Sequence, residues 1–532
     1  MALNSKVQVT MPSNGIIIRS SGKYHYVYKV LKTYRNDKGQ PTNMRKTIGR
    51  LDKSTGMLIP NDAYYEYYSD DTLKTLPAFD SIRSVGATFL VGQVLKNLKI
   101  TKILTDIFGQ EKAKSVLTAV IYMICRGNIF SRILDWCEGY TLCEAALSTQ
   151  KASSLFASIT YDDRMAFFKS WIAIQTLTQY LAYDVTSLSS YAKGIEDTEW
   201  GYNRDGEKLA QINMGCYLGE ESGLPVFYVT YPGSIVDKSH MQYMMVYNSE
   251  LGIHNASFVM DKGFCTTSNL RYMRDSHISF IMSIEMRHKK TRKAIDVVRD
   301  DIVSMRNRLD NVYARCVRSR FYGVYSTMHV YYDPSLAEQH AYDLQRTVEN
   351  MEAKLNQLEQ IAKRDVKRYS TLFDIKRNDN GTFSFCRNYN KIDAAARNNG
   401  FFCLLSSNTT LTSTEVLRVY RRKDVIEKGF DDLKNHIDMK IMHTHTGTTT
   451  DGKLFCAFIA LIAASEMTNK LLTLNRRKTI SKADVISELE KIKVIQTLDG
   501  KRLMNPITKT QRTIFEAFDL KENDLKAYVN IT

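Results

Sequence analysis

The order of strand-like and helix-like segments between residues 179 and 284 constrains the fold more than any other feature of the chain. Three strand-like segments, QYLAYD, LAQINMGCYL and PVFYVTY, follow one another without a helix pattern between them. The helix-like DKSHMQYMMVYNSEL then precedes the strand-like ASFVMD, and a second helix separates this segment from HISFIMSI. Three strands joined by short links and followed by crossover helices predict a mixed sheet covered by helices.

The rest of the chain predicts further domains, because 532 residues correspond to about three or four domains of roughly 150 residues each. The fold class is therefore multi-domain α/β. The expected domains are a basic β-rich domain at 1–70, a helical domain at 71–175, the sheet core in two parts at 176–284 and 413–475, an insertion at 285–412 and a C-terminal helical tail at 476–532.

The predicted insertion contains two heptad patterns. Apolar residues recur at spacings of three and four over residues 295–312 and again over 341–362, which predicts two long helices separated by the strand-like RFYGVYSTMHVYYD. Either the two helices pair as an intramolecular hairpin or they form a dimer interface. We favour the hairpin because the helices are short for a free coiled coil.

Composition narrows the function classes. There are 73 Lys and Arg against 57 Asp and Glu, a net charge of +16, which favours a polyanionic partner such as nucleic acid or an acidic membrane surface. Nine cysteines are scattered without a CxxC pair, so neither a zinc ribbon nor a disulfide framework is expected. The first residues lack the apolar core of a secretory signal, and the longest apolar run, at 454–465, is too short to span a bilayer. We therefore expect a cytoplasmic protein without a membrane span, in which this run forms a buried helix.

Basic segments offer candidate nucleic-acid contacts. In the predicted N-terminal sheet, lysines and arginines alternate with tyrosines; this pattern fits a surface that binds DNA ends, but aromatic alternation also simply favours a sheet. The basic residues are Lys23, Lys29, Lys32, Arg35, Arg45, Lys46 and Arg50. The run MRHKKTRK at 286–293 is either a phosphate contact or a solvated helix start. His443 and His445 form an H-x-H pattern, which is more typical of a polar loop than of a metal site.

The most informative segment is TSTEVLRVYRRKDVIEKGFDDLKNHIDMK at 412–440. Thr412 and Glu415 fit a capping box, and apolar residues recur at spacings of four and three, so the segment predicts one amphipathic helix. Four polar residues fall within a sector of roughly 60° on this helix, at about 100° per residue. They are Tyr420, Lys423, Glu427 and Lys434. This face holds one carboxylate between cations, although a solvated face with ordinary ion pairs has the same pattern.

Three carboxylates are candidates for a metal site. Asp184 and Asp261 stand at the ends of predicted strands of one sheet, and Glu427 lies on a flanking helix. Each acid alone is more often a cap or a turn residue. Together they provide the hard oxygen ligands that Mg²⁺ or Mn²⁺ prefers, and paired ions of this kind promote phosphoryl transfer.

With these residues, the chain resembles the bacterial insertion-sequence transposases of the DDE class. YRRKDVIEKGFDDLKN is similar to their Y-x2-R-x3-E-x6-K signature, and YDVTS, GLPVFYVTYPGSIVDKSHM, VMDKGF and TDGKLFCAFIALI also resemble the family, in the same order. The resemblance covers about residues 83–472. It implies a ribonuclease-H-like core interrupted by an insertion domain. Asp184, Asp261 and Glu427 would be the metal-binding catalytic triad, while Tyr420, Lys423 and Lys434 would contact DNA. Lys423 stands where the family signature has Arg.

The resemblance also implies a reaction and its partners. The protein would cleave DNA at the ends of an insertion sequence and transfer the freed strands into target DNA, with Mg²⁺ or Mn²⁺ and two ions per site. Its partners would be the terminal inverted repeats and target DNA in double-stranded form, bound by a homodimer at the bacterial nucleoid. Two alternatives remain: an inactive DNA-binding protein derived from such a transposase, and a nuclease on the same core.

Overall fold

The structure is a computed structural model in which two compact units are distinguished. It describes residues 8–22, 24–36, 38–68, 79–140, 145–175, 180–192, 194–203, 205–253, 256–474, 480–498 and 500–530. The first unit comprises residues 1–82 and 495–503, and the second comprises residues 83–494 and 504–532.

The first unit contains an antiparallel sheet. Its strands, in spatial as well as chain order, are β1 (Ile16–Ser21), β2 (Tyr24–Arg35), β3 (Pro41–Leu51) and β4 (Leu58–Pro60). Helix α1 (Asp62–Tyr68) packs on β3 and β4. A small apolar core of Val27, Ile48 and Leu58 lies between the helix and the sheet. The sheet therefore has one face that a helix covers.

The second unit begins with helices. They follow β5 (Phe79–Ser84), most of which belongs to the first unit. The helices are α2 (Gly86–Asn97), α3 (Ile100–Arg126), α4 (Ile133–Gly139), α5 (Thr149–Ala157) and α6 (Tyr161–Ala173). Their apolar faces contribute to one large core that extends under the central sheet.

The central sheet starts with the predicted order of elements. It comprises β6 (Tyr180–Ser190), β7 (Ala210–Gly219), β8 (Pro225–Pro232), α7 (Asp237–Glu250), β9 (Ser257–Met260), α8 (Thr267–Asp275) and β10 (Ser279–Ser283). The spatial order of these strands is β8-β7-β6-β9-β10. Strand β9 runs parallel to both β6 and β10, whereas β7 is antiparallel to both of its neighbours. The sheet is thus mixed, as the sequence predicts.

The next region adds strands to the same sheet. It contains α9 (Lys289–Ile302), β11 (Arg308–Leu309), β12 (Val312–Phe321), β13 (Val324–Tyr332), α10 (Pro334–Asn356), α11 (Lys363–Tyr369), β14 (Phe373–Arg377), β15 (Phe383–Arg387), α12 (Tyr389–Ala396) and β16 (Phe401–Ser406). Strands β16, β13, β12 and β11 continue outward from β10 in that order. The region predicted as an insertion is therefore partly an extension of the central sheet.

A compact module interrupts this extension between β13 and β16. It consists of α10–α12 with the β14–β15 hairpin, and it has its own apolar cluster, which includes Val348, Leu355 and Phe373. Tyr332 and Phe401 are register partners on β13 and β16. The chain therefore leaves the sheet and returns to it at adjacent backbone positions.

The prediction of two paired heptad helices is wrong. The first helix, α9, ends at Ile302, and the apolar residues beyond it lie in a short 3-10 turn and in β11 and β12. Its residues Ile295 and Val298 belong to the main core, and the helix packs on β12 and β13. The second helix, α10, ends at Asn356 and faces the module's own cluster. The two apolar stripes are thus buried against different partners.

The chain then returns to the main core. The remaining elements are α13 (Ser413–Arg422), α14 (Asp424–Asp431), a π-helical turn (Asp432–His436), β17 (Ile441–Met442), α15 (Gly447–Leu474), α16 (Lys482–Leu489), β18 (Lys493–Thr497), β19 (Arg502–Met504), α17 (Lys509–Ala517) and α18 (Glu522–Tyr528). The predicted helical tail thus also contains two strands. Helix α15 is long and apolar enough to cross a membrane by length and composition. It is mostly buried among other elements, including α3 and α5, as expected for a core helix.

Candidate active site

Asp184 lies on β6, and Asp261 directly follows the neighbouring parallel strand β9. The register pairs Tyr183 on β6 with Met260 on β9, and each acid is the next residue along the chain. Asp184 is buried in the sheet, with 9% of its surface exposed, and its Oδ1 accepts a hydrogen bond from the backbone N–H of Val185 at 2.8 Å. The parallel pairing therefore places the first two predicted acids side by side, at the same level of the sheet.

The segment with the signature pattern is helical, but it is not one continuous helix. The predicted capping box is present at its start, because the Thr412 hydroxyl accepts from the N–H of Glu415 and the Glu415 carboxylate accepts from the N–H of Thr412. Helix α13 ends at Arg422, and Lys423 is both its C-cap and the N-cap of α14. The break occurs at one of the four polar residues.

Strand β13, in the extension of the central sheet, holds the start of α13. The Tyr331 hydroxyl on β13 donates a hydrogen bond to the backbone carbonyl of Ser413 at 2.8 Å. Nδ1 of the buried His329 lies 2.9 Å from the Ser413 hydroxyl. These contacts fix the first turn of the helix that leads to the candidate site.

Tyr420 contacts one of the acids directly. Its hydroxyl donates a hydrogen bond to Oδ1 of Asp261 at 3.1 Å. Burial raises the pKa of Tyr420 to about 12. The phenol is therefore protonated at neutral pH and acts as a hydrogen-bond donor that orients the Asp261 carboxylate.

Lys423 lies between the carboxylates. Its Nζ is 3.2 Å from Oδ1 of Asp261 and 3.4 Å from Oε1 of Glu427, and only 5% of its side chain is exposed. Burial alone would lower the pKa of Lys423, but the negative charges of Asp261 and Asp184 outweigh it and the net shift is upward. The ammonium is therefore charged and forms ion pairs with two of the three acids, Asp261 and Glu427.

Close packing explains a glycine next to this cluster. A Cβ atom at Gly429 would lie 2.8 Å from Cδ2 of Leu218 on β7, so α14 approaches the sheet more closely than a larger residue permits. Glu427 lies two residues earlier and is 64% exposed at its side chain. The helix is thus buried on one side and presents Glu427 at the open side.

The structure does not bring Lys434 to the acids. Its Nζ lies 2.5 Å from Oδ2 of Asp205, and its side chain is 11% exposed. Lys434 belongs to the π-helical turn after α14, whereas Asp205 lies in the connection between β6 and β7. Three of the four polar residues of the predicted helix face therefore meet, and the fourth is paired elsewhere.

The donor set fits a hard divalent cation. Within the described ranges, no group of three or more His, Cys, Asp or Glu residues is arranged to hold a metal ion. Asp261 and Glu427 nevertheless form ion pairs with one cation, the ammonium of Lys423, and Asp184 acts on the same ammonium through its charge. The three acids provide only carboxylate oxygens, the ligands that Mg²⁺ and Mn²⁺ prefer. His443 and His445 are exposed on a loop, so the metal reading of this pair has no support from the described structure.

Comparison with known proteins identifies the family. Residues 176–463 match the family model of the transposase DDE domain, which is more than half of the chain and includes all three acids. The chain belongs to the DDE transposase family. It is therefore a DNA transposase, and transposases of this family generally use divalent metal ions.

Other comparisons add little. The transposase is similar to a piggyBac transposase in a cryo-EM structure of its synaptic complex with hairpin DNA, at 9% sequence identity. The similarity covers 88% of this chain and 86% of that chain, with a TM-score of 0.35, a likeness too distant to support an argument. No curated protein matches the chain.

The structure of the transposase also reveals buried charges that the sequence patterns do not indicate. The carboxylate of Glu220 at the end of β7 is 5% exposed and accepts a hydrogen bond from Arg422. Lys453, in the first half of α15, is 2% exposed and donates a hydrogen bond to Oδ1 of Asn128 at 3.0 Å. Burial lowers the pKa of Lys453 to about 8. The one sequence signal for Lys453 is its position immediately before the long apolar run.

Proposed function

We propose that this protein is the transposase of a bacterial insertion sequence and that Asp184, Asp261 and Glu427 form its active site. The proposed reaction is cleavage at the element ends followed by strand transfer into target DNA. The observation that supports it best is the position of Lys423, whose ammonium lies within 3.4 Å of both Asp261 and Glu427. An acid that directly follows β9 and an acid on α14 thus meet at this ammonium, and Asp184 lies on the neighbouring strand β6.

The strand order supports a ribonuclease-H-like core. The order β8-β7-β6-β9-β10 places β6, the first strand of the central sheet along the chain, in the middle, with the parallel strand β9 on one side and the antiparallel strand β7 on the other. The proposed first acid lies on β6, the second follows β9, and the third is on a helix that contacts β6 and β7. In such a core, the acids come from different elements of the chain and meet over the same part of the sheet.

The residues around the acids have distinct proposed roles. Two Mg²⁺ or Mn²⁺ ions held by the three carboxylates would supply the Lewis acidity that phosphoryl transfer needs. Tyr420 orients Asp261 through its hydrogen bond. Lys423 carries the positive charge of the Y-R-E-K signature and would contact a phosphate near the scissile bond. Lys434 would contact DNA by breaking its ion pair with Asp205 and binding a phosphate instead.

The proposed partners follow from this reaction. The transposase would bind double-stranded DNA at the terminal inverted repeats and at the target, and it would act as a homodimer in the bacterial cytoplasm at the nucleoid. The net charge of +16 favours binding to a polyanion of this kind.

The test compares two variants on the same helix. Glu427→Gln keeps the shape of the side chain but removes the carboxylate charge, and Asp424→Asn removes an equal charge from an exposed position on α14. With Mg²⁺ and a labelled duplex that carries the element end, we expect Glu427→Gln to lower the rate of end nicking by more than about a hundredfold. Asp424→Asn should stay within about twofold of the wild type, because an exposed charge contributes little.

Each outcome has a definite meaning. Unchanged nicking by Glu427→Gln would overturn the assignment of the third acid. Binding without nicking by the wild type would identify an inactive DNA-binding derivative, and nicking without joining to target DNA would identify a nuclease. Loss of nicking with retained binding in Glu427→Gln, together with joining by the wild type, supports the transposition reaction.

A further inference from the structure

The sheet of the first unit has two faces of different character. Helix α1 covers one face, where Val27 is buried and the ammonium of Lys29 lies 4.8 Å and 4.2 Å from the ring centroids of Tyr67 and Tyr68. Side chains alternate along a strand, so Tyr24, Tyr26 and Tyr28 point to the other face.

Arginines from the neighbouring strands lie on the same side as these tyrosines. Arg19 on β1 and Arg50 on β3 are both register partners of Tyr26. The guanidinium of Arg50 lies 4.7 Å from the ring centroid of Tyr24, and that of Arg45 lies 5.0 Å from the ring centroid of Tyr28. We call this surface the tyrosine face; it consists of Arg19, Tyr24, Tyr26, Tyr28, Arg45 and Arg50.

The charge of the sheet is of one sign. Strands β1, β2 and β3 contain seven lysines and arginines and no aspartate or glutamate. All six residues of the tyrosine face are exposed or half-buried. A sheet face that none of the described helices of its own unit covers, and that carries cations without acids, is complementary to a polyanion.

The ring contacts favour one kind of polyanion. Each guanidinium stacked on a tyrosine ring is held in place, so less side-chain entropy is lost when it binds a phosphate. The same stacking occupies the ring surfaces that unpaired bases would otherwise use, which disfavours a single-strand platform. Arg45 and Arg50 pair with Val30 and Tyr26, which are four residues apart on β2, or about 13 Å at roughly 3.3 Å per residue. A β-bulge in the β2–β3 pairing at Val27/Tyr28 lets both arginines lie on the same face, so their contacts are spread along a backbone.

We propose that the tyrosine face binds the sugar–phosphate backbone of duplex DNA without regard to sequence. The inference rests on the proposed function only in taking DNA as the partner, and it needs none of the residues of the candidate active site. Phosphate contacts of this kind position a protein on DNA, whereas sequence is read through the bases.

The experiment measures binding by full-length protein in EDTA, so that cleavage does not interfere. The probe is a labelled duplex of arbitrary sequence, and the affinity is followed as salt is raised, because each phosphate contact contributes about −0.9 to the slope of log K against log salt. Arg45→Gln with Arg50→Gln should weaken binding at least about tenfold and reduce the slope by about two.

Two further variants control for charge and folding. Lys46→Gln with Lys53→Gln removes the same charge from exposed positions outside the tyrosine face, since Lys46 is the register partner of Lys29 on the covered side. This variant should stay within about threefold of the wild type, because the lost charges make no direct phosphate contact. Arg45→Lys with Arg50→Lys keeps the charge and should keep most of the slope, which a misfolded sheet would not do.

The outcomes separate this proposal from the proposed function. Wild-type affinity in the Arg45→Gln and Arg50→Gln variant would overturn the tyrosine face as a DNA site and leave the active-site proposal intact. Tighter binding of the single strand than of the duplex, or equal competition by polyglutamate, would overturn the choice of duplex DNA. Glu427→Gln should bind as the wild type does, so loss of cleavage alone leaves the tyrosine face unaffected.

Discussion

Replacement of Lys453 by Met tests the reasoning about the buried core quantitatively. Lys453 lies in α15 with 2% of its surface exposed, and burial lowers its pKa from 10.5 to about 8. At pH 7 the folded protein therefore holds a charge that its surroundings disfavour. One pKa unit corresponds to about 1.4 kcal/mol, so the cost of this charge is about 3 kcal/mol.

The sign of the pH dependence follows from the two pKa values. Between pH 8 and 10.5 the unfolded chain keeps the proton on Lys453 and the folded protein has released it, so the folded state gains stability as the pH rises. Met at this position has no proton to release. The free energy of unfolding of the wild type relative to Lys453→Met should therefore rise by about 3 kcal/mol from pH 7 to pH 10.5.

Urea unfolding monitored by tryptophan fluorescence measures this difference, because Trp171 is fully buried in the same core as α15. Lys102→Met on α3 is the matched control, since the Lys102 side chain is 75% exposed and a surface ion pair contributes little. If the difference in the free energy of unfolding between the wild type and Lys453→Met stays constant from pH 7 to pH 10.5, that result refutes the argument.

Three smaller changes test the elements around the candidate site. Thr412→Ala removes the cap that accepts from Glu415 and should lower the free energy of unfolding by about 1 kcal/mol in chemical denaturation. Gly429→Ala places a Cβ atom 2.8 Å from Cδ2 of the buried Leu218 side chain. Either this side chain or the helix must shift, and we expect a shift of the helix that lowers DNA nicking at least about fivefold with a stability loss below about 2 kcal/mol. Gly400→Ala meets both a positive φ of 80° and a Cβ contact at 2.6 Å with α10, so limited proteolysis should cut the module faster by about tenfold, which corresponds to 1.4 kcal/mol of local opening.

The central sheet could be predicted because its signals are local. Each strand from β6 to β10 contains a short apolar segment, and the helix between β8 and β9 has its own periodicity. The second half of β6 is largely polar and carries no such signal. The predicted strand end is right for Asp261, which directly follows β9, but wrong for Asp184, which lies inside β6 because that strand continues to Ser190. Their proximity then follows from the parallel pairing of β6 with β9.

The end of α9 could not be predicted from spacing alone. The apolar spacing of three and four continues beyond Ile302 into Leu309 and Val312, but these two residues pair with each other across a tight β11–β12 turn. Asp310 at this turn has a positive φ of 50°. Pairing of β12 with β13 decides the structure here, and this tertiary contact leaves no periodic signal.

The details of the candidate site depend on contacts that are distant in sequence. The polar face of the signature segment predicted that Tyr420, Lys423 and Glu427 would be neighbours, and the structure places them together. The sequence pattern could not show that Lys423 would be buried against Asp261, because that contact forms only when the sheet folds. Lys434 is paired with Asp205, a residue 229 positions earlier in the chain, and no local pattern predicts such a pair.

The junction between β13 and β16 has a consequence for how chains of this kind can change in length. Tyr332 and Phe401 are direct partners across the two strands, so the intervening segment closes on itself and imposes no strain on the sheet. Its ends already meet, and replacement by a tight turn or by a foreign domain costs little loop entropy. We expect related transposases to vary in size at this point, and the junction is a suitable site for splicing a reporter or a targeting domain into the enzyme.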